Sequence, residues 1–255
     1  MPNNILNNDP MSKRYLPNIS VDSVIFGFHN RQLKVLLLRF KNTEMYALPG
    51  GFIDKEEDLE DSVKRILSER TGLHDIYLEQ FGTFGSKQRA YGEVHKAVAE
   101  AIGKTFDPNA WVAQRFVTVC YYALVDFHNT IPSPDPASDL CDWFDINEMP
   151  NLMFDHNAIV QQALASLRLM LDYKLVAFNL MPDMFTMNDL QSLYETILGK
   201  KLLRTNFQRK MLSLGILERV DKQWTGGAHK AAYLYRFDKN KYEEMQKEEA
   251  SLSGI

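Results

Sequence analysis

The sequence predicts an α/β protein in two parts: a larger domain of alternating strands and helices, then a small helix–helix–hairpin module. Three observations lead there. Apolar, β-branched runs and helix-period segments succeed one another through residues 15–172. Two short helices with capping residues and a hairpin fill residues 183–245. The net charge of −4 is also unevenly shared: residues 186–237 hold nine Lys or Arg against four Asp or Glu (+5), leaving the remainder 20 against 29 (−9). An acidic body with a basic C-terminal module suggests two domains with different partners, the basic one suited to nucleic acid.

Val21–Phe28 and Leu33–Phe40 read as strands joined by a turn at His29-Asn-Arg-Gln32. Tyr46–Gly51 leads into a helix ending at Gly72, with Leu59, Val63, Ile66 and Leu67 at helical spacing on its inward face. Ile76–Phe84, the β-branched and aromatic Arg115–Phe127, and a short piece at Trp143-Phe144 are further strands. Asp155–Leu171 is helical by the period of Ile159, Ala163, Leu167 and Leu171. Between Gly85 and Arg115 lies a long connection in which Tyr91–Ile102 has room for a short helix. It is either a specificity or dimer element or a tolerated surface insertion.

The boundaries are a disordered lead at 1–14, a first domain at 15–172, a linker at 173–182, the second domain at 183–245 and a tail at 246–255. The first ten residues are polar and lack the apolar core of a secretion signal, and no apolar run approaches the roughly 20 residues of a membrane span. Two cysteines, Cys120 and Cys141, do not suggest a disulfide framework; a cytoplasmic location follows as the expectation.

The most specific stretch runs from Gly51 to Leu73. Gly51, Glu57, Arg65, Leu67, Glu69, Gly72 and Leu73 stand at the spacing of the Nudix box, the strand–loop–helix signature of hydrolases acting on nucleoside diphosphates linked to another group. The chain resembles that family but departs from it twice, with Ile66 and Arg70 where the box has glutamates. The resemblance implies an α/β/α sandwich and, in active members, magnesium held by carboxylates at 66, 69 and 70. Ile66 has no oxygen to give, and Arg70 places a positive charge where the cation belongs. With Glu69 alone, no catalytic residues, metal or cofactor are expected. Glu57 and Arg65 suit the family's non-catalytic task of tying the loop to the helix. A working hydrolase is the alternative, and it would need substitute carboxylates.

In the second module, Thr186 and Gly199 bracket a helix whose apolar stripe is Leu190, Leu193, Tyr194 and Ile197. Thr205-Asn-Phe-Gln208 reads as a capping box opening a second helix, with Thr205 as N-cap. Phe207, Met211 and Leu214 share its inner face, and Asn206, Arg209, Lys210 and Ser213 its outer one. That outer face suits a DNA major groove, with Lys200, Lys201, Arg204 and the helix N-terminus for phosphates. A hairpin follows, and its tip, Trp224–Lys230, carries His229 and Lys230. Two helices and a basic hairpin describe a winged helix.

A spoiled Nudix box joined to a winged helix resembles the Nudix-related transcriptional regulators of bacteria. Phe154-Asp-His156, Phe185-Thr186, Leu190–Glu195, Asn206-Phe207 with Arg209-Lys210, and Tyr233–Phe237 carry the likeness, over about residues 18–240. It implies a homodimeric repressor or activator on palindromic double-stranded DNA, with the former hydrolase pocket sensing a small molecule. Val176–Pro182 and Leu190–Glu195 look most like the sugar-responsive Bacteroidetes branch, so an arabinose-like sugar is expected ahead of an ADP-ribose-type effector.

Overall fold

The structure is a computed structural model that describes residues 10–74, 76–89, 92–101, 103, 105–171, 177–223, 232–242 and 244. It divides into two compact units: residues 1–27, 34–125 and 129–166, and residues 28–33, 126–128 and 167–255. Among the described residues no helix is long and apolar enough to cross a membrane.

In the first part of the chain, α1 (Pro10–Arg14) leads into the long β1 (Tyr15–His29), followed by β2 (Gln32–Phe40), β3 (Tyr46–Ala47), β4 (Gly50–Asp54) and α2 (Leu59–Thr71). Next come β5 (Tyr77–Phe84), α3 (Gly92–Ala101), β6 (Val117–Leu124), β7 (Ser138–Asp145) and α4 (His156–Met170). The strands form one seven-stranded mixed sheet with the path β3-β2-β1-β6-β5; β4 pairs with β1 and β7 with β2. The parallel pairing of β1 with β6 runs from Ile19 opposite Val117 to Phe26 opposite Leu124. Asn30 and Arg31, both at positive φ, make the β1–β2 turn, the geometry that matches strand twist in a two-residue hairpin.

Alternation along β1 divides the layers. Val21 packs with Ile53, Val63, Ile66, Val119 and Tyr121, and Ile25 with Leu36, Leu67, Ala123 and Val125. Both clusters thus join the sheet to α2. Asp22, between these positions, instead approaches His156 at the start of α4. This is the expected α/β/α sandwich.

Two boundaries differ from the sequence reading. Residues 10–14 of the expected lead are helical: the Lys55 amide donates to the Arg14 carbonyl, and Arg14 pairs with Asp54 at 2.7 Å. Residues 1–9 lie outside the described residues. The expected linker contains α5 (Ala177–Leu180), and Leu180 and Met181 are buried, which a free tether would not allow.

The second part of the chain continues with β8 (Phe185–Thr186), α6 (Met187–Leu198), α7 (Arg204–Ser213), β9 (Leu217–Gln223) and β10 (Ala232–Phe237). Thr186 caps α6 in a reciprocal box with Asp189, and Gly199 ends it at φ 66°. β8 adds a third strand to the hairpin, pairing with β10 through Thr186–Leu234 and Phe185–Tyr235. Tyr242, beyond the hairpin, is buried against Ile216. This is the expected winged-helix arrangement.

Candidate functional site

The box helix keeps its scaffold. The Arg65 guanidinium donates from Nε to both Glu57 oxygens (2.9 and 2.8 Å) and from another nitrogen to the Phe52 carbonyl (3.1 Å). Ser62 Oγ donates to Glu57 at 2.8 Å. These bonds fasten the loop after β4 to α2, the task expected of Glu57 and Arg65. Gly72 ends α2 in the left-handed region at φ 72°, and a Cβ there would meet Ser133 Oγ at 2.8 Å.

The metal-ligand positions have other employment. Ile66, 2 % exposed, lies in the core cluster with Val21, Ile53 and Val63; burying such a side chain contributes roughly 1.5–3 kcal/mol. Glu69 is paired with Arg65 at 3.2 Å on the exposed side. Arg70 Nε donates to the Gly50 carbonyl at 2.9 Å, and a terminal nitrogen pairs with the nearly buried Asp135. Among the described residues no group of three or more His, Cys, Asp or Glu is placed to hold a metal ion. The side chains present therefore do not fit the family's magnesium cluster.

Arg70 does line a cavity. With it stand Ser20, Asp22, Gly50, Phe52, Arg89 and His95, and Phe116, Phe154 and His156 add to the wall. The cavity, open on one side, has a volume of about 130 Å³. That is below the roughly 300–1,000 Å³ of a site enclosing a drug-sized ligand.

The floor is a buried ionic network. Arg89, 7 % exposed, donates to Asp22 at 3.0 Å and pairs with Asp155. The Leu48 amide donates to His156 Nδ1 at 3.0 Å, which puts the neutral ring's proton on Nε2, 3.7 Å from Asp22. Burial pushes the His156 imidazole below its usual range, against the pull of Asp22. Gly50 is needed here because a Cβ would lie 2.3 Å from an Asp22 oxygen.

One wall is aromatic: Phe52 meets Trp111 at 4.8 Å and Phe116 at 5.1 Å between ring centroids. Arg89, His95 and Val112 come from the long connection after Gly85, so that segment helps build the pocket. Of the residues lining the pocket, the sequence singles out Gly51, Arg70, Phe154 and His156. Asp22 sits within an apolar strand run, where a lone carboxylate was the available clue. Arg89 and His95 carry no local signal.

The second candidate site lies on α7. Phe207 and Met211 are buried, and the Phe207 ring meets Tyr194 of α6 at 5.2 Å. Arg204, Thr205, Asn206, Arg209, Lys210 and Ser213 are all exposed, with Arg209 donating to Asn206 Oδ1 at 3.3 Å. Lys200 and Lys201 are exposed in the preceding turn. That turn is organised by Glu195, which accepts from Lys201 Nζ (2.8 Å), the Leu202 amide (2.9 Å) and Gln191 Nε2 (2.9 Å). These donors, Lys201 foremost, hold its carboxyl down at about 2.

The expected Thr205 cap is not formed. The helix begins two residues earlier, with Leu203 as N-cap and no side-chain cap bond, because the Glu195 anchor on Leu202 fixes the turn before Thr205 is reached. His229 and Lys230 lie outside the described residues.

Comparison with known proteins joins the two sites. Residues 16–164 match the family model of the NUDIX domain, and residues 177–237 that of the NrtR DNA-binding winged helix domain. The chain is 34 % identical over 234 residues to the ADPR responsive transcriptional repressor NtrR of Acinetobacter baylyi, covering 89 % of this chain and 84 % of that one. This chain belongs to the NrtR group of Nudix-related transcriptional regulators. The crystal structure of Shewanella oneidensis NrtR complexed with a 27mer DNA is 30 % identical, with a TM-score of 0.66, covering 88 % of this chain and 95 % of that one. The Nudix part alone is similar to an ADP-ribose pyrophosphatase of Methanocaldococcus jannaschii, at 28 % identity over 57 % of this chain and 72 % of the relative. NrtR membership thus accounts for both halves of the chain.

Proposed function

We propose that this chain is an ADP-ribose-responsive transcriptional repressor that has lost its hydrolase activity. The observation carrying this reading is the fate of positions 66 and 70: the first is sealed into the core and the second carries a guanidinium into the pocket. Such a pocket can hold a nucleoside diphosphate derivative but lacks the carboxylates that would gather metal for its cleavage.

The lining favours an ADP-ribose-type effector over the pentose expected from sequence. Phe52, Phe116 and Phe154 offer apolar ring faces, and Arg70 and Arg89 offer cationic donors. An aromatic base and a diphosphate use both features, whereas a free pentose has no anionic group to match the guanidiniums. The described repressor and pyrophosphatase relatives support the same class.

On the DNA side, α7 enters the major groove with Asn206, Arg209, Lys210 and Ser213 toward base edges. Lys200, Lys201, Arg204 and Thr205, together with the uncapped start of α7, meet phosphates. A homodimer reads a palindromic operator with half-sites about 10–10.5 bp or a multiple apart. ADP-ribose acts by binding unequally to the DNA-competent and DNA-incompetent arrangements. The test is fluorescence anisotropy with the chain's own upstream DNA, titrated with ADP-ribose or arabinose. Release by arabinose alone would overturn the effector assignment, and no binding to any promoter fragment would overturn the repressor reading.

A further inference from the structure

Positions 66, 69 and 70 lie on α2, where the resemblance to the Nudix box implies magnesium-binding carboxylates. In this chain the carboxylates are absent or turned away, yet positive charge has not left the pocket. Arg70 and Arg89 both line it, Arg89 held between Asp22 and Asp155 and Arg70 beside Asp135. Arg70 is held in place from two sides, by the Gly50 carbonyl and by Asp135. Those bonds use two of the five N–H groups of a guanidinium. The remaining donors form a planar fork of the kind that grips phosphate oxygens in pairs.

We infer that Arg70 is a built-in replacement for the divalent cation: its guanidinium binds the diphosphate of the effector directly, so that effector binding needs no metal. This rests on the ADP-ribose-type reading above and goes beyond it by assigning the residue and the ionic requirement. The substitution then does two things at once. It keeps the affinity for a nucleoside diphosphate that the metal would have provided. It also removes the agent that would activate water, because a guanidinium has no open coordination position and stays protonated.

The experiment is isothermal titration of the full chain with ADP-ribose, and separately with inorganic pyrophosphate, in EDTA and in excess magnesium. Wild-type affinity for ADP-ribose in EDTA should lie within about twofold of that in magnesium. Arg70→Ala should weaken binding by about 10- to 100-fold in both buffers, the value of a charge-assisted hydrogen bond or two. Arg70→Lys should recover only part, since an ammonium lacks the fork. Circular dichroism of the unliganded variants reports folding. If Arg70→Ala unfolds, Arg70→Gln retains a donor for the Gly50 carbonyl, and the EDTA comparison on wild type needs no variant.

Binding that demands magnesium overturns the inference, as does a folded Arg70→Ala with unchanged affinity. Pyrophosphate binding in EDTA without ADP-ribose binding would leave the role of Arg70 standing and remove the effector assignment. Failure of both probes in EDTA removes the role of Arg70.

Discussion

The pocket floor makes a demanding prediction. Arg89→Met keeps most of the side-chain volume and removes the charge, leaving Asp22 and Asp155 facing each other without a cation between them. Asp22 and Arg89 have side chains only 9 % and 6 % exposed, so water cannot take over. Removing one partner of such a buried pair costs roughly 3–5 kcal/mol. For a domain of this size each kcal/mol moves the melting temperature by roughly 2–4 °C, giving a fall of roughly 6–20 °C. Differential scanning calorimetry at neutral pH measures it. The double change Asp22→Asn/Arg89→Met should regain part of the loss, because one of the two stranded carboxylates is gone and only Asp155 remains. A loss under about 1 kcal/mol, the ceiling for an exposed pair, would show that the network is solvated and refute the reasoning.

Three other predictions are independent of that one. Arg209→Ala/Lys210→Ala should abolish operator binding in a mobility-shift assay while leaving the melting temperature nearly unchanged, both side chains being exposed; wild-type DNA affinity would reject the groove assignment. Glu195→Gln should weaken DNA binding several-fold, because the charge-assisted bonds that order the turn are given up, without altering ADP-ribose titrations; equal loss in both would mean general destabilisation. His156 has its folded pKa lowered, so its contribution is complete above the unfolded value near 6.5 and is lost as pH falls below it. Melting of wild type should therefore drop more steeply than that of His156→Gln between about pH 7 and 5.5, and parallel curves would contradict a buried neutral imidazole.

How far the sequence could be read depended on whether the signal was local. Ile66 was legible as a core residue because its helical neighbours Val63 and Leu67 share its face. Its consequence for metal binding followed from spacing alone. The α6 boundaries were legible because Thr186 and Gly199 both sit where their backbone geometry is needed. The start of α7 was misread because Thr205 and Gln208 imitate a capping box, while the real determinant is the hydrogen bond from Leu202 to Glu195, seven residues apart. The two-residue β8 has too little pattern to be seen, and its partner lies some 50 residues downstream. The pocket was the least legible part. Asp22, Arg89 and His156 meet from β1, the long connection and α4, and nothing in sequence spacing places them together.

The central claim is that one chain couples a non-hydrolysing nucleoside-diphosphate pocket to a DNA-reading helix. By linkage, whatever factor ADP-ribose imposes on DNA affinity, DNA must impose on ADP-ribose affinity. The most direct test is therefore one titration series: operator affinity with and without saturating ADP-ribose, ADP-ribose affinity with and without operator, and chromatography of the recovered nucleotide. The account predicts a weakening of about tenfold or more, equal in both directions, with ADP-ribose recovered intact in magnesium buffer. Steady release of AMP, or a DNA affinity indifferent to a bound nucleotide, would contradict it.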